Sequence, residues 1–303
     1  MTTDSEGHGV ADWLQDRLLR GLLGLMLALP YRWRVPLAGA AMSRIVAPLA
    51  GYRRRVRENL ALVRPDLPEA EVRRLMRAVP ENAGRTLIEI YSGAAFTARV
   101  ARMPITGPGL AALDAAKAAG RPVVLVSGHF GNYDAGRAGL IARGYTVGAL
   151  YRPMRNAFFN AHYVTAMRSI GEPMFPRGKA GLADMVRFLR GGGMLAMLVD
   201  QHFYSGAPLR FFGRRAMTAL SAAEMALRYG ADLVPFYGIR NPDGLSFRIE
   251  VEAPIAPGTP EEMTQALNNS LEARVRANME QWFWVHRRWK GSPDPEDENE
   301  ATG

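Results

Sequence analysis

One stretch of the chain gathers residue types that move protons: Ser127-Gly128-His129-Phe130-Gly131-Asn132-Tyr133-Asp134. An imidazole titrates near neutrality. A carboxylate on one ring nitrogen fixes its tautomer and leaves the other nitrogen to act as a base. His129 and Asp134 stand five positions apart, an HX4D arrangement. That spacing does not share a face on a regular helix, so a turn must bring the two side chains together. Gly128 and Gly131 permit tight or left-handed backbone. Asn132 is a good cap for a helix starting at once after it, and Asp134 then falls in the first turn, where the helix dipole favours negative charge. The expected pair is His129 as general base and Asp134 as its orienting carboxylate. The same spacing also fits a structural histidine at a strand end, with Asp134 only a helix-start residue.

Other candidates are weaker. Ser127 lacks the flanking glycines of a nucleophile elbow. Gly128-x-x-Gly131 is neither the dinucleotide nor the P-loop pattern. His8 lies in the expected N-terminal tail, and His162 sits among Phe158, Phe159 and Tyr163 as packing. His202 follows Asp200 and Gln201 after an expected strand and could join the site, but no second pair has ligand spacing, so neither metal nor other cofactor is expected.

These residues need elements to hold them. Residues 10 to about 100 read as helical, because apolar residues recur at three and four. The texture changes at Arg121, where Pro122 to Ser127 is a continuous apolar run of the kind a buried parallel strand shows. Thr146 to Tyr151, Met194 to Val199 and Leu233 to Ile239 resemble it, and Ser246 to Glu252 alternates like an edge strand. Helices are expected between them, including one ending at the glycines 191–193, one over Thr218 to Tyr229 and a long one over Pro260 to Trp284. The expected fold is α/β, with a central, mostly parallel sheet flanked by helices and a helical, membrane-associating N-terminal region. The expected organisation is a flexible N-terminus (1–9), a single domain (10–290; helical over 10–100, α/β over 101–290) and a disordered acidic tail (291–303). The active residues then follow the first buried strand, at the carboxyl end where α/β sites collect.

Composition narrows the partners. The chain has 303 residues and a formal net charge of +9, which suits nucleic acid, an anionic membrane or an acidic protein. No zinc-finger spacing, RNA-binding aromatic signature or basic-region heptad is present, so nucleic acid is not expected. The absence of cysteine excludes disulfides, thiolate zinc sites and a cysteine nucleophile. Leucines between Leu18 and Leu29 form an apolar patch interrupted by Arg20, followed by Tyr31, Arg32, Trp33 and Arg34. It is too short to span a bilayer and fits either an interfacial helix or a helix packed on the domain. Arg53, Arg54, Arg55 and Arg57 form a second basic cluster, of the kind that can hold anionic head groups or simply line a solvated helix face.

His129-Phe130-Gly131-Asn132-Tyr133-Asp134 resembles the active-site block of the bacterial lipid A biosynthesis lauroyl and myristoyl acyltransferases, a lysophospholipid-acyltransferase-like family. Tyr151-Arg152-Pro153 with Asn156 is similar to the family's Tyr-Arg-Pro segment. Asp200-Gln201, then Phe211-Phe212-Gly213 and Thr218, is similar to its second block. Glu280-Gln281-Trp282 to Trp284, and His286-Arg287-Arg288-Trp289-Lys290, resemble its closing segment, and Arg57-Glu58-Asn59-Leu60 with Pro65 its early part. The likeness runs over about residues 10 to 290. It implies an enzyme on the cytoplasmic face of the inner membrane, peripheral or anchored by its N-terminal helix. It implies acyl transfer from an acyl carrier protein to a hydroxyl of a lipid A precursor, without a metal. The family usually carries Glu where this chain has Asp134. The Asp form is typical of the wider glycerolipid acyltransferases, so a glycerophospholipid or aminolipid acceptor is the alternative.

On this reading His129 takes the acceptor proton and Asp134 balances the imidazolium. Backbone amides near Gly131 or the Arg152 guanidinium are the expected oxyanion donors. Asp200, at another strand end, is a candidate second carboxylate near His129, with Gln201 beside it, and Phe211, Phe212 and Thr218 are expected to shape the acyl pocket. Two rivals remain: a lipid hydrolase using Ser127, and a non-catalytic membrane-binding or nucleic-acid-binding protein.

Overall fold

The computed structural model describes residues 9–154 and 156–291. The expected N-terminal tail with His8 and the acidic tail therefore lie, but for Gly9 and Gly291, outside the described residues. Helices open the chain: α1 (Val10–Ala28), α2 (Tyr31–Ala41), α3 (Ala47–Leu49), α4 (Tyr52–Val63), α5 (Glu69–Tyr91) and α6 (Ala94–Val100). A π-helical turn, Met42–Val46, joins α2 to α3. The order continues with β1 (Ile105–Thr106), α7 (Leu110–Ala118), β2 (Val123–Ser127), α8 (Tyr133–Ala142), β3 (Val147–Tyr151) and α9 (Ala157–Ile170). Then come β4 (Met174–Pro176), α10 (Lys179–Arg190), β5 (Met194–Leu198), β6 (Ala207–Phe211), β7 (Arg214–Thr218) and α11 (Ser221–Tyr229). The last are β8 (Asp232–Arg240), β9 (Phe247–Val251), α12 (Pro260–Ala277) and a 3₁₀ turn at Met279–Gln281.

The sheet order is β1-β9-β8-β2-β5-β3-β4, with every pair parallel except β8 with β9. The structure is thus mixed α/β with a mostly parallel sheet between helices. β2 is buried throughout, which explains its unbroken apolar run: both faces are covered. Val123 and Leu125 face the core shared with α2, α5, α6 and α8. Val124 and Val126 face the core shared with α10, α11 and α12, as the two-residue period of a strand dictates. A third cluster, rich in aromatic rings, joins Phe130, Phe211, Phe212, Trp282, Trp284 and Trp289 to α4 and α5.

Three expectations need correcting, and the strands β1, β4, β6 and β7 were not expected. β9 is not the sheet edge, because the short β1 pairs along its outer side. The helix expected from Thr218 begins at Ser221, and Thr218 instead ends the antiparallel hairpin β6–β7. β4, with three residues, is too short to leave a pattern. The helix expected to reach Trp284 stops at Ala277: Asn278 turns out of helical backbone (φ −146°, ψ 64°), and Trp282 bridges to Phe130. Among the described residues no helix is long and apolar enough to cross a membrane.

Candidate active site

Parallel register explains what lies beside His129. β2 pairs with β5 so that Ser127 is opposite Leu198. Two residues beyond each stand His129 and Asp200, at the carboxyl ends of adjacent strands. His129 Nδ1 lies 2.8 Å from Asp200 Oδ1. Asp200 Oδ2 accepts the His129 backbone N–H at 2.8 Å and the Trp282 indole N–H at 2.8 Å. The Asp200 side chain is fully buried. Burial alone would raise its carboxyl, but the His129 charge and hydrogen bonds, with His286 nearby, outweigh it and hold the group well below the ordinary carboxylate value. An ionised Asp200 accepts, so a neutral His129 carries its proton on Nδ1 and its lone pair on Nε2.

Asp134 is where the local spacing predicts, in the first turn of α8, and Asn132 caps that helix by accepting the Ala135 N–H. Its carboxylate does not take the imidazole. It accepts from Arg137 Nε at 2.8 Å, one helical turn on. Arg137 is itself buried and also donates to the carbonyls of Gly171 and Met167. The expected His129–Asp134 contact is therefore replaced by His129–Asp200, because an i, i+3 guanidinium is closer to Asp134 than the ring is.

The loop carrying His129 is fixed from several sides. Gly131 has φ 56°, and a Cβ there would lie 2.1 Å from the Gly238 carbonyl oxygen, so only glycine fits. The Gly131 N–H donates to the Gln281 carbonyl at 2.9 Å. The N–H groups of His129, Phe130 and Asn132 are likewise taken by Asp200, Gly128 and Gly238. Amides at Gly131 are thus not free to hold an oxyanion. The Gly131 carbonyl accepts from Asn82 and Thr86 of α5. Asn132 donates to Glu89, which is fully buried and forms a two-pronged pair with Arg240 of β8 at 2.6 and 2.7 Å.

Two cavities meet at His129. The first, about 190 Å³, is mainly apolar and lined by Met42, Tyr52, Val79, Leu87, Ile90 and Phe283, among others. The second, about 340 Å³, carries Asp134, Arg137, Arg152, Arg177 and Gln201 on its walls. Arg152 thus lines a cavity that reaches His129. Gln201 stands 3.5 Å from His286. Phe211, Phe212 and Thr218 line neither cavity. The two phenylalanines pack against Trp282, Trp284 and Trp289, and the Thr218 hydroxyl accepts from Arg288. They back the site rather than line either cavity, the two phenylalanines covered by the tryptophans and Thr218 held by Arg288. The Ser127 hydroxyl is buried without a hydrogen-bond partner, so the nucleophile–base contact a hydrolase needs is not formed.

His286 and Trp282 were not singled out from sequence as site residues. The His286 ring centroid is 4.6 Å from that of His129. Burial pushes the His286 imidazole down to about 3, and the nearby His129 charge adds to that. It is neutral at pH 7. Its ordinary value of 6.5 returns in the unfolded chain, which then binds the extra proton on acidification. The stability this burial depends on is complete above about pH 6.5 and is lost as pH falls toward 3. Thermal unfolding from pH 8 to 4 is therefore expected to fall less steeply for His286→Gln than for the wild type. Parallel curves would contradict this. Ligating atoms of His129, Asp200 and His286 lie within 4.8 Å of one another, but both Asp200 oxygens already accept N–H groups, and a cation would have to displace these.

A sequence model described as bacterial lipid A biosynthesis acyltransferase matches residues 10–291. The lipid A biosynthesis lauroyltransferase of Escherichia coli (strain K12) is 27% identical over 285 residues, 90% of each chain. A phosphatidylinositol mannoside acyltransferase of Mycobacterium tuberculosis (strain CDC 1551 / Oshkosh) is 25% identical over 241 residues, 77% of this chain and 76% of the relative. A lipid A biosynthesis acyltransferase of Haemophilus influenzae (strain ATCC 51907 / DSM 11121 / KW20 / Rd) is 25% identical over 192 residues, 62% of this chain and 60% of the relative.

Proposed function

The chain belongs to the bacterial lipid A biosynthesis acyltransferase family and is an O-acyltransferase, and from that premise we propose that His129, oriented by Asp200, is its general base. The observation that carries this reading is the 2.8 Å contact between His129 Nδ1 and the buried Asp200 carboxylate. It leaves Nε2 as the basic nitrogen at the meeting point of two cavities. The acceptor hydroxyl gives its proton to Nε2 as its oxygen attacks the carbonyl carbon of an acyl thioester. The tetrahedral intermediate collapses, the C–S bond breaks, and the imidazolium returns the proton to the departing thiolate. Asp200 stabilises the transient imidazolium. Arg152 is the remaining candidate among the expected donors for the oxyanion.

The donor is an acyl carrier protein thioester, and the acceptor a hydroxyl of a lipid A precursor. The apolar cavity suits a fatty chain, and the arginines of the second suit phosphate or another anionic group. The excess positive charge suits an acidic carrier protein. A glycerophospholipid or aminolipid acceptor is the second reading, favoured by aspartate rather than glutamate at Asp134. The test offers labelled acyl carrier protein and, separately, acyl-CoA, with a lipid A precursor or a lysophospholipid as acceptor. Label on the lipid A precursor supports the first reading. Label only on the lysophospholipid moves the enzyme to the second, and free fatty acid without an acceptor product would overturn both.

The protein works at the cytoplasmic face of the inner membrane, held by an apolar surface. On α1, Leu14, Leu18, Leu22 and Leu25 are exposed on one face, Leu25 at 73%. Trp33 and Leu37 of α2, and Ile45, Val46 and Leu49 beyond it, are exposed as well. The combined variant Leu18→Glu, Leu25→Glu is expected to weaken binding to phosphatidylcholine vesicles by about 10- to 100-fold. Co-sedimentation equal to the wild type would remove α1 from the membrane contact.

A further inference from the structure

Of the four arginines clustered on α4, two are paired: Arg57 with Glu69 through two hydrogen bonds, and Arg54 with Glu58 at 3.5 Å. Arg53 is different. It reaches back to the π-helical turn, donates Nη2 to the Ser43 carbonyl at 2.8 Å, and leaves its Nε buried without a partner. There it lines a depression of about 380 Å³ with Ser43, Arg44, Arg77 and Glu81. The Ser43 hydroxyl is committed to the Arg77 carbonyl at 2.8 Å, and Glu81 is taken by Arg85 at 2.6 Å. Three arginines therefore line one depression, whose single carboxylate, Glu81, is paired through one oxygen with Arg85.

The backbone is arranged to make this happen. A Cβ on Gly84 would stand 2.5 Å from the Met42 Cβ and 2.7 Å from the Ala38 carbonyl oxygen, so glycine lets α5 close on the end of α2. That approach sets Arg77 beside the π-helical turn, a rare conformation that often marks functional positions. The turn faces three ways at once. Met42 lines the apolar cavity at His129, Ser43 and Arg44 line the basic depression, and Ile45 and Val46 are exposed apolar residues.

We propose that Arg44, Arg53 and Arg77 form a binding site for a lipid phosphate, separate from the His129 site and set beside the apolar residues of the π-helical turn. Guanidiniums bind phosphate oxygens through paired N–H donors. The orphaned Arg53 Nε is the kind of buried donor that otherwise has an acceptor. The exposed Ile45, Val46 and Leu49 beside it fit a site that meets its ligand at a bilayer surface rather than in bulk solvent.

The phosphate can come from a bilayer head group or from a phosphorylated substrate, and two measurements separate these. One is binding to vesicles of phosphatidylcholine with and without phosphatidylglycerol. The other is the rise in unfolding temperature caused by inorganic pyrophosphate in neutral detergent. The variant Arg44→Gln, Arg77→Gln is compared with Arg54→Gln, Arg57→Gln, which removes the same charge from residues already paired. Loss of about 25-fold in the phosphatidylglycerol-dependent binding, for the first variant only, assigns the site to a head group, at roughly fivefold per arginine. Unchanged vesicle binding with loss of the pyrophosphate effect assigns it to a substrate phosphate. Equal losses in both variants, or no change in either measurement, overturn the proposal. Failure of the apolar-surface reading shows on phosphatidylcholine alone, and failure of the general-base reading shows only in turnover, so neither is confused with this result.

Discussion

Replacing His129 with alanine is expected to lower kcat for acyl transfer by about 10³-fold, within the 10²–10⁴ that a positioned general base contributes. The fold should survive. The His129 side chain is 25% exposed, and Asp200 keeps both the residue-129 backbone N–H and the Trp282 indole as donors. Asp200→Asn is expected to cost a similar factor by a different route. An amide can present its NH₂ to Nδ1, which turns the ring toward the wrong tautomer and withdraws the charge that stabilises the imidazolium. Asp134→Asn is the informative contrast. Its carboxylate answers Arg137 rather than the ring, so kcat should fall less than about tenfold while the unfolding temperature drops, because a buried guanidinium loses its counter-charge. Single-turnover rates with matched circular dichroism spectra decide the matter. If Asp134→Asn loses activity as Asp200→Asn should while Asp200→Asn stays active, the orienting carboxylate has been assigned to the wrong strand end.

The largest stability effect is expected at Arg240. Its guanidinium donates to both Glu89 oxygens, to Asn82 and to Thr86, and Glu89 is fully buried. Arg240→Met leaves that carboxylate without its cation, which costs about 3–5 kcal/mol in such settings. The combined change Arg240→Met, Glu89→Leu should cost less than the sum of the single changes, since no lone charge remains. Urea unfolding of the four proteins measures this, and additive losses would show that the pair is not coupled. Because Glu89 also holds Asn132, and Asn82 and Thr86 hold the Gly131 carbonyl, the single variants should also lower kcat.

What the sequence made legible follows the range of the interactions. β2, the cap at Asn132, the start of α8 and the glycine turn at Gly131 depend on neighbours a few residues away, and all were readable. The partner of His129 was legible only in part: Asp200, at another strand end, is expected as a second carboxylate near His129, but its precedence over Asp134 depends on strand order. Only the adjacency of β2 and β5 puts residue 200 beside residue 129, and a single sequence does not display that adjacency. Asp134 is near His129 in the chain, but local spacing does not display the claim that Arg137 has on it. The end of α12 was misread for a related reason. Residues 278–284 keep an apolar, helix-compatible pattern, but the backbone there is drawn out to meet Phe130 and Gly131 of the β2–α8 loop.

That last contact has a consequence for how the protein is made. The Gln281 carbonyl accepts from Gly131, the Phe283 N–H donates to the His129 carbonyl, and Trp282 reaches Asp200. A ribosome that has delivered every strand and α12 has still not delivered these groups. The nascent chain can therefore pair its strands before His129 is locked in register. On the proposed role of His129, catalytic competence should arrive only after residues 279–290 have cleared the exit tunnel and folded back over the strand ends.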